Sequence, residues 1–227
     1  MTDPAVLAAI RTDLEAARER AGHRLVGGLK GVEAARLYAA AADQAVTAVW
    51  AEVAGEQARG GVSLLAVGGY GRGVLAPFSD LDVMVLRPAK VGTETEALIE
   101  TLLHALWDLG FKIGWSVRTG PEALKLARED MTIRTSLLEA RPLVGDARLS
   151  ADFLARFRKA VKKSDPRPFI AAKLDERDVR HAKAGTVRYQ VEPNVKDGKG
   201  GLRDLNSLFW IARSLAPDSD MGRAALE

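Results

Sequence analysis

Two aspartates separated by one residue give the strongest chemical signal in this 227-residue chain. Residues 81–86 form an apolar run that is typical of a buried strand. Asp80 directly precedes this run, and Asp82 lies within it. Because side chains two apart on a strand leave the same face, the two carboxylates should lie side by side. Like charges that close repel unless a cation lies between them, and paired hard oxygen ligands suit Mg²⁺. The sequence therefore predicts that Asp80 and Asp82 are catalytic metal ligands.

A glycine-rich turn precedes this pair, and ten residues separate Gly69 from Asp80. Glycines allow the backbone to approach a polyphosphate closely and to direct N–H groups towards it. Ser79 directly precedes the first aspartate, and Arg72 adds positive charge within the turn. We therefore predict nucleotide binding by a set of residues in this segment: Gly68, Gly69, Gly71, Arg72 and Ser79.

Other interpretations of this segment are weaker. The sequence has no Gly-x-x-x-x-Gly-Lys-Ser/Thr phosphate loop. Gly71 and Gly73, with Ala76 in the sixth place, match a relaxed dinucleotide-binding fingerprint, but no helical pattern follows them. Taken alone, the two aspartates favour a solvated strand end or a turn cap. A glycine pair, a ten-residue spacer and Asp-x-Asp between apolar strands together favour the phosphate and metal site.

A second motif places positive charge on a glycine-rich loop near the end of the chain. Residues 192–205 read Glu-Pro-Asn-Val-Lys-Asp-Gly-Lys-Gly-Gly-Leu-Arg-Asp-Leu. Asp204 stands at the start of a predicted helix, where capping and binding of metal or ribose are equally compatible with its position. The loop could close on a triphosphate through its cations and glycines, namely Lys196, Lys199, Gly200, Gly201 and Arg203.

Both motifs resemble one known family. Residues 65–82 and 192–205 closely resemble the bacterial PII uridylyltransferase/uridylyl-removing enzymes, within the DNA polymerase beta nucleotidyltransferase superfamily. The resemblance extends from about residue 60 to the end of the chain. It implies transfer of UMP from UTP to a tyrosine of the PII signalling protein, with Mg²⁺ as the cofactor and release of pyrophosphate.

The chain departs from the superfamily pattern at one position. A third carboxylate usually comes from a later strand in an Asp-hydrophobic-Arg pattern, whereas this chain has Ser116-Val117-Arg118, preceded by Trp115. The general base then comes from elsewhere, with Glu139 and Asp130 as candidates, or the metals and one aspartate suffice.

Two other functions therefore remain open. A different nucleotidyltransferase of the same superfamily would use another donor nucleotide or another acceptor. A non-catalytic nucleotide-binding regulatory module would account for the absent third acid. The family also removes UMP through a histidine-aspartate hydrolase domain, but the three histidines, His23, His104 and His181, form no His-Asp dipeptide. We expect this chain to carry the transferase activity and not the removal activity.

The elements that must position these residues can be predicted from periodicity. Asp3 and Pro4 begin a helix, a second helix covers about residues 32–57, and Thr93 with Glu96 forms a capping box before a third. Short apolar runs predict strands at residues 62–67, 81–86 and 111–118, and Pro121 begins another helix.

Together with the resemblance, this pattern predicts an α+β fold. It would contain a polymerase-beta-like nucleotidyltransferase core with a small mixed sheet, flanked by N-terminal helices and a C-terminal helical domain. The predicted boundaries are residues 1–60 for the N-terminal helices, 61–145 for the core and 146–227 for a helical substrate- or nucleotide-binding domain. The chain stops soon after Pro217 without an evident domain end, so we expect this last domain to be truncated.

Composition limits the remaining possibilities. With 47% hydrophobic and 28% charged residues, the chain has ordinary globular composition, and the absence of cysteine excludes disulfides and zinc-thiolate sites. The net charge of +3 suits a nucleoside triphosphate as well as nucleic acid. There is no signal peptide pattern and no run of about 18 apolar residues. We expect a cytoplasmic protein that binds neither a membrane nor nucleic acid.

Overall fold

The computed structural model describes residues 2–54, 61–184, 192 and 194–218. The chain divides into two compact units, Met1–Ala155 and Arg156–Glu227. The N-terminal helices and the sheet belong to the first unit, and the predicted three-part division of the chain stays a prediction. The elements up to residue 145 are α1 (Pro4–Val26), α2 (Gly31–Ala54), β1 (Ser63–Ala66), α3 (Gly68–Gly71), β2 (Leu81–Arg87), α4 (Thr93–Asp108), β3 (Ile113–Thr119), α5 (Gly120–Glu129), α6 (Met131–Leu138) and β4 (Arg141–Gly145).

The first helix begins where the sequence predicts. The side chain of Asp3 accepts a hydrogen bond from the backbone N–H of Ala5 at 2.8 Å, and Pro4 occupies the first turn. Such a cap satisfies one of the donors that a helix start leaves without a partner. The second predicted helix is confirmed as α2, and its last three predicted residues, 55–57, lie outside the described residues.

The sheet has four strands in the order β3-β2-β1-β4. Strand β1 pairs antiparallel with β2 and with β4, whereas β2 and β3 are parallel. Strands β1, β2 and β3 confirm the three predicted strands, but β4 was not predicted. The described residues thus form a mixed α+β fold with a small mixed sheet, while the polymerase-beta-like identity of this core remains an expectation.

The two faces of the sheet differ. Alternate residues of β1 and β2, including Leu64, Val83 and Val85, belong to the main core together with buried residues of α1, α2 and α4. Successive side chains on a strand point to opposite faces, so Asp82 lies on the face away from those helices. A helical core therefore fixes β2 from one side, and the acid is presented on the other.

The capping box predicted at Thr93 is wrong. Helix α4 begins at Thr93 after an N-cap at Gly92, without a side-chain capping hydrogen bond, and the Glu96 N–H reaches the Gly92 carbonyl at 3.3 Å. A capping box forms instead at α5, where the Thr119 hydroxyl accepts from the Glu122 N–H and the Glu122 carboxylate accepts from the Thr119 N–H. The N-cap position that the Thr93 and Glu96 pattern predicted for Thr93 is occupied by Gly92, since glycine is also accepted there.

The remaining helices are α7 (Ala147–Lys163), α8 (Arg167–Ala184) and α9 (Leu202–Leu215). The boundary between the two units falls within α7. In the second unit α8 packs against α9, and Lys173 lies buried with its Nζ 5.0 Å from the ring centroid of Trp210. Within the described parts of the chain, none of the helices has the length and apolar content to cross a membrane.

Candidate functional site

The carboxylate of Asp82 lies between two glycines. A Cβ placed on Gly114 would lie 2.5 Å from Oδ1 of Asp82, and one placed on Gly68 would lie 2.9 Å from Oδ2. Gly68 begins the turn that follows β1, and Gly114 is the register partner of Asp82 on the parallel strand β3. Neither position can carry a side chain without displacing the carboxylate.

Gly114 was missed in the sequence analysis. The sequence does contain a signal for this residue, since Gly114 interrupts the apolar residues of β3. Glycine inside a strand often marks a position that another group approaches closely. Gly68 has a second reason to be glycine, since its φ of +55° lies in the left-handed region. The structure therefore brings the glycine turn and Asp82 together, and it adds Gly114 to them.

Electrostatics distinguishes the two aspartates. Burial raises the pKa of the Asp82 carboxyl, and the nearby charge of Asp80 raises it further. Asp80 itself is exposed. A cation bound by both would relieve the burial cost and the repulsion, as expected of a metal pair.

The donor set can be tested against Mg²⁺. In the part of the chain that the structure describes, no three His, Cys, Asp or Glu side chains come together as a metal site. Two carboxylates without a third protein ligand fit Mg²⁺, which keeps waters and takes ligands from substrate phosphates. They do not fit a closed structural zinc site, which requires four protein ligands.

The segment before Asp80 is a tight turn at Pro77 and Phe78. The backbone N–H of Ser79 donates to the Ala76 carbonyl at 3.2 Å. Phe78 has a φ of +64° and a 95% exposed side chain. No long helix follows the glycine turn, since α3 has only four residues, and this argues against the dinucleotide-binding alternative.

Two residues of the glycine turn have evident packing roles. A Cβ on Gly71 would lie 2.2 Å from the carbonyl oxygen of Glu139, so the close backbone approach at this position serves packing. The Arg72 guanidinium donates to the Glu139 carboxylate at 2.8 Å, and that carboxylate side chain is only 1% exposed. The end of α6 thus holds the turn from one side.

The candidates for a general base have structural contacts. Glu139 pairs with Arg72, as described above. Asp130 is the N-cap of α6, and hydrogen bonds from the N–H groups of Ile133 and Thr132 lower the pKa of its carboxyl. Ser116 lies two residues beyond Gly114 on the same strand and so on the Asp82 face of the sheet. The position at which the resemblance leads us to expect a third acid therefore lies on the Asp82 face of the sheet and carries serine.

The lysine and glycine loop belongs to the second unit. The Asn194 side chain accepts from the N–H groups of Lys196 and Asp197, and a Cβ on Gly201 would lie 2.8 Å from the Val195 carbonyl. Lys196 and Lys199 are exposed. The loop is therefore compact in its backbone and presents its lysines to solvent.

Asp204 is not the N-cap residue of α9, because Gly201 occupies that position. Its side chain instead connects this loop to α8. Its carboxylate accepts from the Gly200 N–H at 2.7 Å, from Arg180 at 2.5 Å, and lies 2.9 Å from Nε2 of His181. Burial raises the pKa of this carboxyl, but the three hydrogen bonds outweigh burial and lower it. Arg203 lies nearby, with its Nε 3.4 Å from the Asp197 carboxylate.

Comparison with known proteins identifies the family. The model of the GlnD PII-uridylyltransferase family matches residues 168–225. The chain is 52% identical over 226 residues to a bifunctional uridylyltransferase/uridylyl-removing enzyme of Phenylobacterium zucineum. The matched region covers 96% of this chain and 24% of that protein. Proteins of the same name from Caulobacter vibrioides and Erythrobacter litoralis are 53% and 44% identical and cover 87% and 92% of this chain.

These curated relatives are much longer than the chain, which spans about a quarter of their length. The match to the Phenylobacterium protein covers 96% of this chain and therefore extends over both units. The chain therefore belongs to the family of the PII uridylyltransferases.

Proposed function

We propose that this chain transfers UMP from UTP to a tyrosine hydroxyl of the PII signalling protein and releases pyrophosphate, in the cytoplasm. The observation that carries the proposal is the Asp82 carboxylate lying directly against Gly68 of the glycine turn. A turn whose N–H groups bind phosphate places the triphosphate next to such a carboxylate, and Mg²⁺ is commonly bound by carboxylates together with substrate phosphates. The relatives' name supports the choice of uridylyl group, and the family description supports PII as the acceptor. We assign the sheet and its flanking helices to a polymerase-beta-like core.

In the proposed site, Asp80 and Asp82 would hold Mg²⁺. When bound there, the metal would acidify the acceptor hydroxyl and neutralise charge on the departing pyrophosphate. Gly114 and Gly68 leave the space that the Asp82 carboxylate occupies, because a Cβ on either residue would lie within 3 Å of its oxygens. A side chain at either position would therefore displace the carboxylate from the place in which it would bind the metal.

The reaction balances as a simple displacement. The tyrosine oxygen forms a bond to the α-phosphorus of UTP, and the bond from that phosphorus to the bridging oxygen of the β-phosphate breaks. Pyrophosphate leaves with the bonding electron pair, and the phenolic proton passes to solvent. No protein base is assigned, because Glu139 and Asp130 have structural contacts and Ser116 is not basic.

Groups of the first unit would bind the triphosphate. Gly68 and Gly69 offer backbone N–H groups beside the pair, and Ser79 offers a hydroxyl next to Asp80. Arg72 and Gly71 support the turn through Glu139. Phosphate binding by the loop of the second unit stays a prediction from the sequence, with Lys196, Lys199, Gly200, Gly201 and Arg203 as its residues.

The donor and the acceptor can be tested together. The protein is incubated with Mg²⁺, purified PII and each of four nucleoside triphosphates labelled at the α-phosphate, and labelled PII is quantified. We expect label from UTP on a tyrosine, at least tenfold above that from ATP, GTP or CTP. Transfer from another nucleotide, or to another acceptor only, would favour a different nucleotidyltransferase of the same superfamily.

A non-catalytic nucleotide-binding module is the second candidate. It is favoured by Ser116 at the position of the third acid and by the structural contacts of Glu139 and Asp130. Such a module would bind UTP with Mg²⁺ in calorimetry but would transfer no label to PII under any condition that supports binding.

We also propose that this chain does not remove UMP from modified PII. The sequence has no His-Asp dipeptide, and two of its histidines pair with neighbouring groups, His181 with Asp204 and His104 with the ring of Trp107. Incubation with uridylylated PII should release no UMP above the buffer control. Sustained hydrolysis by the purified chain would contradict this proposal.

A further inference from the structure

A hydrogen-bonded cluster joins helix α2 to the glycine turn. Asp43 lies near the middle of α2, which belongs to the helical layer under the sheet. Its Oδ1 accepts from the Tyr70 hydroxyl at 2.6 Å and from Nη2 of Arg141 at 2.8 Å. A single carboxylate oxygen thus joins α2, the glycine turn and strand β4.

Tyr70 anchors the turn by its side chain. It is the third residue of α3, between Gly69 and Gly71, and it is fully buried. Burial and the hydrogen bond to Asp43 raise the pKa of the phenol, so the hydroxyl stays protonated and acts as the donor. A buried hydroxyl that loses its acceptor carries the cost of desolvation, so this contact specifies where the turn lies.

Arg141 supports the same arrangement from β4. Its guanidinium lies 5.2 Å from the Tyr70 ring centroid, and its Nη2 reaches the Tyr70 backbone carbonyl at 3.5 Å. Arg141 is the register partner of Ala66 at the end of β1, directly before the turn. The cation therefore contacts both the side chain and the backbone of the residue that Asp43 holds.

The cluster is connected to the aspartate pair by short contacts. The backbone N–H of Val67, which precedes the turn, donates to the Asp82 carbonyl at 2.9 Å. The α-carbon of Gly68 faces the Asp82 carboxylate so closely that a Cβ there would lie 2.9 Å from Oδ2. A shift of the turn therefore changes the space beside the Asp82 carboxylate.

We infer that Asp43 is a positioning residue of the transfer site, which holds the glycine turn against Asp82 through Tyr70 and Arg141. The inference rests on the proposed function and assigns to the N-terminal helix α2 a role in triphosphate binding. The hydrogen bonds of Asp43 go to Tyr70 and Arg141, so it would act on the site through these two residues. Its effect is to fix the turn N–H groups in the place that the triphosphate requires.

The test measures KM for UTP, KM for PII and kcat in Asp43→Ala and Asp43→Asn. A partly unfolded variant lowers kcat in proportion to its inactive fraction and leaves both KM values unchanged. A displaced turn raises KM for UTP, by roughly tenfold in Asp43→Ala, and leaves KM for PII unchanged. Asp43→Asn keeps an acceptor for the Tyr70 hydroxyl and should recover KM for UTP to within about threefold of the wild type.

The matched control is Glu33→Ala, which removes an exposed acid from the same helix and should leave all three constants unchanged. Should Asp43→Ala not fold, Tyr70→Phe removes only the hydroxyl and should raise KM for UTP in the same direction. A folded Asp43→Ala protein with wild-type KM for UTP overturns the inference while the proposed function stands. If the wild type transfers no UMP, the proposed function fails, and the dissociation constant for UTP with Mg²⁺ replaces KM in the same comparison. Equal dissociation constants in wild type and Asp43→Ala, or no UTP binding by the wild type, would then overturn the inference as well.

Discussion

Replacement of Gly114 by alanine is the sharpest perturbation of the proposed metal pair, because it adds one methyl group and changes no charge. The added Cβ would lie 2.5 Å from Oδ1 of Asp82, whereas ordinary van der Waals contact begins at 3.4 Å. The methyl group and the carboxylate must therefore separate by about 0.9 Å, the difference between these distances. Strand β3 is held by its pairing with β2, so we expect the carboxylate to move more than the backbone.

A displacement of about 1 Å at a catalytic group can lower the rate by roughly 100-fold. This corresponds to about 2.7 kcal/mol of lost transition-state stabilisation. The fold should survive, because alanine is preferred to glycine inside a strand by about 0.5 to 1 kcal/mol, which offsets part of the local strain. We therefore expect Gly114→Ala to lose kcat for UMP transfer by roughly 100-fold while its melting temperature changes by only a few degrees.

The assay follows labelled UMP from UTP into PII at saturating substrate, with the melting temperature recorded on the same preparation. The control is Gly31→Ala at the start of α2, where an added Cβ meets no atom within 4 Å. The control should keep wild-type kcat. If Gly114→Ala keeps kcat within threefold of the wild type, the Asp82 carboxylate either is not a catalytic ligand or does not need this position.

Three further variants test the contacts around the site. Arg72→Ala removes one hydrogen-bonded partner of the buried Glu139 carboxylate, and urea denaturation should show a loss of about 1.5 to 3 kcal/mol in the free energy of unfolding. Burial and Asp80 raise the folded-state pKa of Asp82, so its ionised form costs stability above the ordinary carboxyl pKa of about 4. Asp82→Asn should therefore raise the melting temperature of the metal-free protein at pH 7, with a gain that shrinks as the pH falls towards 4; a lower melting temperature at pH 7 would contradict this. Asp204→Ala leaves the Arg180 guanidinium unpaired and should cost about 2 kcal/mol of unfolding free energy by the same denaturation method.

Short-range patterns predicted much of the first unit. Apolar runs located β1, β2 and β3, because a buried strand requires consecutive apolar residues, and Asp3 with Pro4 located the start of α1. The failure at Thr93 also has a local cause. Glycine, like threonine, can occupy an N-cap position, and Gly92 stood one residue earlier.

The parts of the site that were not predicted depend on tertiary contacts. Asp43 is an unremarkable acid on a helix until the fold places the Tyr70 hydroxyl beside it, 27 residues along the chain. Arg72 is a plausible phosphate ligand in the sequence, and its pairing with Glu139 arises only because α6 ends beside the glycine turn. Strand β4 is short and carries a proline, so its period-2 pattern is weak. Spacing along a chain reports which groups share a strand or a turn, but not which distant group approaches them.

The most direct test of the central claim compares UMP transfer to PII by the wild type, Asp80→Asn and Asp82→Asn at saturating Mg²⁺ and UTP. The asparagines keep the shape of the side chains and remove the charge that a metal ligand requires. The account predicts UMP transfer by the wild type and a loss of at least 100-fold in kcat for each variant, although both variants fold. Transfer at the wild-type rate by either folded variant would contradict the assignment of the aspartate pair as the metal site.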